Sequence, residues 1–589
     1  MEELQKQTNI NVQEKANLIW DIATHLYGQY KPHEYGRVIL PMTVIKRFDD
    51  SLKDTKAKVL EVAKRLDESG ATGMAREAIL KKTSGRDFYN VSKFDFEKLL
   101  ADSTNIAENF VDYLQGFSDN VKDIISYFEF DKEISKMSQN DLLFTIIQEF
   151  NSKKGDMSPD KVSSQDMGYI FEELVRKFSE SYDEQAGAHF TARDIIYLMT
   201  ELLIAPEKDE IKANGCSKTA YDMTMGTSQM LACLDERLHE VNKNSVLKCF
   251  GQEFNPETFA IAKADMLIKG GDAENMKFGD TLSADQFENY KFDYIISNPP
   301  FGIDWKKEQA AVTKEAKLGF DGRFGPGLPS ISDGQMLFLL NGVKKLKETG
   351  RMAIIQNGSS LFTGDAGSGP SEIRKYLIEN DRVDTIIQLP NDLFYNTGIT
   401  TYIWVITGEK AKEVNRIGKI QLIDASKCFK RRRKSIGSKR AELDDECISL
   451  IMKAYGDFMN RDYDQGELHL ESKVFNNKYF GYRKVVIETA QVDSQGKRIL
   501  KKGKPQATKG MADSEIIPLE QDVDEYLREN VLPYNSLAFA DRTKDKIGYD
   551  IPFPKIFYKF IKPKNSQEIL GHIMKLEAED SELVKELLK

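Results

Sequence analysis

The chain has 589 residues, 40% hydrophobic and 30% charged, and a formal net charge of −10. That length is too great for one hydrophobic core, so about three domains are expected, and the composition excludes a disordered chain. No apolar run of about 18 residues occurs, which excludes a membrane-spanning helix.

The opening MEELQKQTNINVQEK lacks the apolar core and cleavage site of a secretory signal, so a cytoplasmic protein is expected. Residues 1–160 read as an all-helical domain. Leu18, Ile19, Ile22 and Leu26 recur at helical spacing, as do Leu143, Ile146, Ile147 and Phe150. The polar stretch SKKGDMSPDKVSS (152–164) marks the first boundary.

From about residue 217 short apolar runs alternate with helical patterns. The predicted strands are TAYDMT (219–224), LKCFGQ (247–252), FDYIIS (292–297), RMAIIQ (351–356), VDTIIQL (383–389) and TTYIWVI (400–406). Leu231, Leu234, Leu238 and Val241 form an amphipathic helix between the first two. This alternation predicts an α/β, Rossmann-like core over residues 161–475, with a mostly parallel sheet and helices on both faces. Ligands of such sheets bind beyond the carboxyl ends of the strands. A charged region, 476–589, follows, with a second polar stretch at 491–514. It ends in a helical arm whose Ile569, Ile573, Leu576, Leu583 and Leu587 keep heptad spacing, interrupted at Asp580. Packing on its own domain and pairing with a partner helix both fit that stripe. Cys216, Cys233, Cys249, Cys428 and Cys447 are dispersed without a CxxC pair, so neither a disulfide framework nor a metal site is expected.

The sharpest chemical signal is Asn298-Pro299-Pro300-Phe301, directly after the strand FDYIIS. An adenine amino nitrogen is a poor nucleophile because its lone pair is delocalised into the ring. Two acceptors that take its two N–H hydrogens free that lone pair. The side-chain oxygen of Asn298 and the carbonyl of Pro299 suit that task, and the prolines stiffen the turn. Phe301 offers an aromatic face to an extruded base. The segment resembles the Asn/Asp-Pro-Pro-Tyr/Phe signature of amino-methyltransferases; the plain alternative is a turn that closes a strand.

The loop after the first strand contains Asp222, Thr224, Met225 and Gly226 and runs on to Leu231. It resembles the methyltransferase cofactor loop Asp-Pro-x-x-Gly-x-Gly-x-x-Leu, with Met223 in place of Pro and Ser228 or Gln229 in place of the later glycine. Glu253, at the end of the second strand, can accept both hydroxyls of a ribose; a solvated or helix-dipole role is the alternative. Asp280, after a third strand in NMKFGDTL, can accept a cofactor adenine amino group or serve as a turn residue. Upstream, Ala188-His189-Phe190-Thr191-Ala192-Arg193 resembles the Phe-Thr-Pro segment that covers the bound cofactor, with Ala192 replacing Pro. A helix capped by Thr191 also fits. The run Lys430-Arg431-Arg432-Arg433-Lys434 is either a phosphate contact or a solvated patch.

Longer segments add to these motifs. YLQGFSDNVKDIISYFEF (113–130), GYIFEELVRKFSE (168–180), GQEFNPETFAIAKADMLIKG (251–270), LPNDLFYNTGITTYIWVITGEK (389–410) and FGYRKVVIE (480–488) resemble the modification (methyltransferase) subunit of type I restriction–modification systems. The resemblance implies N6-adenine methylation of double-stranded DNA with S-adenosylmethionine as donor. It also implies a complex of two modification subunits with one specificity subunit, to which restriction subunits can add. A partner that supplies DNA affinity, or basic residues gathered on one face, would reconcile the acidic balance with DNA binding. A catalytically weak, DNA-clamping subunit is the alternative that the irregular Gly226 loop motivates. A protein-glutamine N-methyltransferase is a further rival. No GxGxxG follows the first strand, which argues against a nucleotide-dependent oxidoreductase.

Overall fold

The computed structural model describes residues 14–587, except 16, 164–165, 169, 172, 175–190, 214, 395–397, 437, 502 and 561–564. Residues up to Ile551 form one unit, and Pro552 onward form a second.

The N-terminal part is helical, from residue 17 through α1 (Gly36–Leu52) to α2 (Leu143–Phe150). Leu143, Ile146, Ile147 and Phe150, three and four residues apart, are all buried, as are Ile19, Ile22 and Leu26. The 3.6-residue period puts each set on one helix face, and both faces join one core.

The α/β part begins with α3 (Arg193–Ile204) and β1 (Ser217–Asp222). Then follow α4 (Gln229–Val241), β2 (Val246–Glu253), α5 (Pro256–Lys269), β3 (Met276–Phe278) and β4 (Phe292–Ser297). Next come α6 (Gln335–Lys345), β5 (Leu346–Asn357), β6 (Val383–Gln388), β7 (Thr401–Thr407) and β8 (Lys419–Lys427). A hairpin, β9 (Lys430–Ile436) and β10 (Lys439–Glu442), precedes α7 (Asp445–Asp457), β11 (Arg461–Gln465) and β12 (Leu468–Asn476).

Ten strands form one sheet in the order β11-β12-β8-β6-β7-β5-β4-β1-β2-β3. Pairing is parallel from β3 through β5 and between β6 and β8. It is antiparallel where β7 slots between β5 and β6 and where β12 and β11 close the edge. The six predicted strands are all present. The strand expected before Asp280 is β3, and those not predicted in this sheet, β8, β11 and β12, lie together at one edge, where β11 has only Tyr463 as an apolar residue. Every residue of β7 is buried, so both sheet faces are covered there.

Helix α5 joins the two parts. Asn255 caps it by accepting from the amide of Thr258 (3.0 Å), Pro256 opens its first turn, and Gly270 ends it at φ +76°. Its Ala260, Ile261, Ala264 and Leu267 sit in the N-terminal core, and Lys263 reaches Asp123 at 3.0 Å. The N-terminal helices are thereby docked on the helix that leaves Glu253.

A smaller antiparallel sheet follows, with β13 (Gly481–Ala490) paired to β14 (Ala507–Pro518), β15 (Ala538–Ala540) and β16 (Lys546–Tyr549). Buried Arg374 anchors it by donating to the carbonyl of Tyr549 and to Asp550 (2.8 Å). The second unit ends in the predicted helix, α8 (Ser566–Leu587), whose Ile569, Ile573 and Leu576 are exposed. Among the described residues no helix is long and apolar enough to cross a membrane.

Candidate active site

The strand order reverses at β1. The chain runs from β1 outward to β2 and β3, then crosses back to place β4 on the other flank of β1 (Ala220↔Tyr294, Tyr221↔Ile295). The crevice beyond the carboxyl ends of β1 and β4 is therefore the topological switch point, where ligands of such sheets bind. Asp222 ends β1, and Ser297 ends β4 immediately before Asn298.

Ser297, which sequence reasoning missed, stitches these ends together. Its hydroxyl donates to Asp222 Oδ1 at 2.7 Å and shares a 2.9 Å hydrogen bond with Thr224 Oγ1. The same Asp222 oxygen accepts the amide of Thr224 (3.0 Å). Asp222 is 1% exposed. Burial pushes its carboxyl up to about 7, against the pull of the Ser297 hydroxyl and the Thr224 amide; nearby Glu253 pushes the same way as burial.

A third segment reaches the same point. Asn298 Nδ2 donates to Thr191 Oγ1 at 2.9 Å. Helix α3 starts at Arg193 with Ala192 at the cap position, so Thr191 does not cap it and its hydroxyl serves Asn298 instead. In this arrangement Thr191 Oγ1 takes the amide nitrogen, and Oδ1 is the end left to accept. Ala192 is buried in the core, and burial lowers the Arg193 guanidinium to about 10. Ala188, His189 and Phe190 lie outside the described residues.

The loop from Met223 to Ser228 is tied to the end of β2. Met225 donates its amide to the Gln252 carbonyl (3.1 Å), and Gly226 donates to Glu253 Oε2 (2.9 Å). Glu253 Oε1 accepts the amide of Asn255 (2.8 Å), so both carboxylate oxygens hold backbone while keeping further lone pairs. Burial raises the Glu253 carboxyl, opposed by those amides. Gly226 has φ +52°. Gly251 lets Met225 pack closely, since a Cβ there would fall 2.2 Å from Met225 Sδ.

Ser228 is the second residue that sequence reasoning missed. It precedes α4 with φ +69° and ψ +20°, a left-handed conformation that an L-residue pays about 1–2 kcal/mol to adopt. In that geometry its hydroxyl does not cap the helix, and it is buried (4% exposed) with no hydrogen-bond partner among the described residues. The replaced glycine of the motif was the available signal.

The remaining expected site residues are placed less directly. Asp280 spends its carboxylate on its own turn, accepting from the amides of Leu282 (3.1 Å) and Ser283 (3.2 Å). Its neighbours still border the loop, with Gly279 donating to the Glu253 carbonyl (2.9 Å) and Thr281 to the Met223 carbonyl (2.6 Å). Pro299 is buried and Pro300 half-buried. Phe301 is 8% exposed and belongs to the main core, so its ring is not an open platform.

A doubly wound α/β core with paired acids and an Asn-Pro-Pro-Phe turn at its switch point has the architecture of a nucleotide-type ligand site. The N-6 DNA methylase family model matches residues 162–491, more than half of the chain, and the chain belongs to that family. The HsdM N-terminal domain model matches residues 15–150. The type I restriction enzyme HindI methylase subunit of Haemophilus influenzae is 28% identical over 263 residues, which are 44% of this chain and 54% of that protein. The MpnII methylase subunit of Mycoplasma pneumoniae is 29% identical over 47% of this chain and 49% of its own length. The chain thus spans about half the length of these two relatives. The MjaIX methylase subunit of Methanocaldococcus jannaschii is 23% identical over 88% of each chain. The fold is shared with the crystal structure of a type I restriction-modification methyltransferase subunit from Streptococcus thermophilus (TM-score 0.60, 22% identity, 80% of this chain and 97% of that one).

Proposed function

We propose that this chain is the methyltransferase subunit of a type I restriction–modification complex, methylating N6 of adenine at a DNA sequence chosen by a specificity subunit. One observation carries the reading. Ser297 joins the Asp222–Gly226 loop to the Asn298–Phe301 turn through hydrogen bonds of 2.7 and 2.9 Å, so a donor cradled by the first lies beside an amine held by the second.

The residues fit S-adenosylmethionine. Asp222 and Glu253 are buried acids suited to a cation and to ribose hydroxyls, and Ser228 offers an orphaned buried hydroxyl in the same loop. Asp222, Thr224, Met225, Gly226 and Glu253 would hold it, with 188–193 as cover and Asp280 at the base. When bound, it supplies an electrophilic methyl on a sulfonium. The target adenine leaves the duplex, and its amino hydrogens go to Asn298 Oδ1 and the Pro299 carbonyl. Thr191 anchors the Asn298 side chain, while Pro300 holds the turn. Both acceptors are in place before the reaction, so no reorganisation is needed as the nitrogen becomes nucleophilic. The amino proton is lost to solvent. Stacking of the base on Phe301 requires the ring to be uncovered first.

We assign residues 1–160 to DNA clamping and assembly, 161–475 to methyl transfer and 476–589 to partner binding. The exposed Ile569, Ile573 and Leu576 support a helix–helix contact with the specificity subunit. A second copy of this chain and restriction subunits would complete the assembly. Asn298→Ala tests the reaction: methylation of DNA by labelled donor is lost while cofactor binding stays nearly intact. Full activity in that variant refutes the role. The strained Ser228 loop favours a second reading, a weakly catalytic clamping subunit; calorimetry with S-adenosylmethionine, on the chain and on its complex, separates the two.

A further inference from the structure

The basic run at 430–434 is not a loose surface stretch. It forms strand β9 of a hairpin whose other strand is fixed to the rim of the candidate site. Lys439, buried, donates to Asp194 Oδ2 (2.8 Å) and to the Leu393 carbonyl (2.9 Å). Asp194 Oδ2 also accepts the amide of Leu443 (2.9 Å), and the amides of Arg440 and Ala441 donate to the Asp392 carbonyl (2.9 and 3.2 Å). Asp194 lies in the first turn of α3, three residues after Thr191, which holds Asn298. The hairpin is therefore tied directly to Asp194, three positions along the chain from the Thr191 that holds Asn298.

Its register is irregular. Arg431 pairs with Ala441 and Ile436 with Lys439, so the four β9 residues 432–435 lie opposite Arg440 alone and the strand bulges there. Lys430 and Arg432 are neutralised by Glu446 and Glu442. Arg431, Arg433 and Arg440 are exposed, and the described residues include no ion-pair partner for any of them. Three unneutralised guanidiniums on a rigidly seated hairpin, in a chain of net charge −10, are a local concentration of positive charge beside the site.

We infer that Arg431, Arg433 and Arg440 grip the phosphate backbone of the duplex that carries the target adenine. This rests on the DNA-methylating reading above. Guanidiniums match phosphate geometry and bind it without regard to sequence, which suits a subunit whose partner reads the bases.

The test uses the full chain purified with whatever subunits accompany it, and a short random-sequence duplex as probe. Affinity is measured by fluorescence anisotropy across a salt series. In R431Q/R433Q/R440Q the slope of log K against log salt falls by about 2–3, since each phosphate contact contributes about 0.9. Over a fourfold rise in salt the wild type then loses roughly 40-fold more affinity than the variant. R433Q alone lowers the slope by about 1, while the charge-keeping R431K/R433K/R440K retains most of it. Calorimetric S-adenosylmethionine binding, unchanged, shows that the variants are folded. An unchanged slope in the triple glutamine variant overturns the inference, as does a wild type without salt-dependent duplex binding. Methylation by the wild type is scored separately: salt-dependent binding without adenine methylation would sink the reaction proposed above and leave the hairpin's role standing.

Discussion

Asp222 offers the most direct link between burial, charge and binding. Its carboxyl ionises near its ordinary 3.8 in the unfolded chain and near 7 in the folded one, chiefly because burial disfavours the charged form. The folded state thus holds the proton more tightly between about pH 4 and pH 7, so stability from this group is full below that window and lost as pH rises through it. At about 1.4 kcal/mol per pH unit the loss is on the order of 4 kcal/mol at pH 8. Asp222→Asn cannot ionise, yet it keeps an oxygen for the Ser297 hydroxyl and the Thr224 amide. Thermal melts from pH 3.5 to 8 should show the variant matching the wild type only at the acid end, ahead by about 1.6 kcal/mol at pH 5, and ahead by a near-constant amount above pH 7. Glu236 and Asp49, also raised, to about 7 and about 6, contribute equally to both proteins and cancel in the difference. Calorimetry should show the opposite for S-adenosylmethionine, a cation that favours the ionised carboxylate. Wild-type affinity should fall about tenfold per pH unit below pH 7, and the variant should bind weakly at every pH. A variant less stable than wild type at pH 8, or one that binds the cofactor as well as wild type does, would refute the reasoning.

Three further substitutions probe the same frame. Ser297→Ala removes the donor that favours ionised Asp222, so the pH midpoint of cofactor binding should move upward in calorimetry, with about 1–2 kcal/mol of stability lost in melts. Ser228→Gly relieves the left-handed serine and deletes a buried unsatisfied hydroxyl; denaturant unfolding should show a gain of about 1 kcal/mol, with weaker cofactor binding if the hydroxyl is a ligand contact. Lys439→Ala leaves Asp194 without its buried cation and should cost about 3 kcal/mol, part of it recovered in a Lys439→Ala, Asp194→Asn double variant that keeps an oxygen for the Leu443 amide, as the double-mutant cycle of those two substitutions would show.

Legibility in the sequence followed local contrast. FDYIIS and the Asn-Pro-Pro-Phe turn could be read directly, because a buried strand ending in a stiff turn carries both its period and its stop. Ser297 could not. A serine at a strand's last position has no pattern of its own, and its partner Asp222 lies 75 positions away, brought near only by the parallel β1–β4 pairing. Thr191 was visible as part of a motif but was equally readable as a helix cap; which one holds depends on Asn298 being within reach. Edge strand β11 carries a single buried apolar residue, Tyr463, and β12 breaks its alternation at Glu471-Ser472-Lys473, so neither has the unbroken apolar run that marks β7. Strand β14 is largely exposed, so nothing in its side chains marks a strand, and β13 supplies the hydrogen bonds that make it one. Run 430–434 read as charge alone because the residue that seats it, Lys439, lies beyond the turn.

On the proposed reading, the acidic balance is compatible with DNA binding because of where particular charges sit. Asp222 and Glu253 are buried with their oxygens turned to backbone amides and the Ser297 hydroxyl, which suits the short-range cofactor role proposed for them and shields them from a passing phosphate. The arginines of the hairpin sit in high dielectric, where attraction to a polyanion is screened by salt and acts through counterion release. The two systems need opposite environments: a carboxylate that recognises a sulfonium must be dry, and a guanidinium that tracks a backbone must be wet. Net charge averages over both and so predicts neither. Neutralising exposed acids far from the hairpin should therefore raise non-specific DNA affinity only modestly, while removing three arginines from one hairpin changes its salt dependence outright.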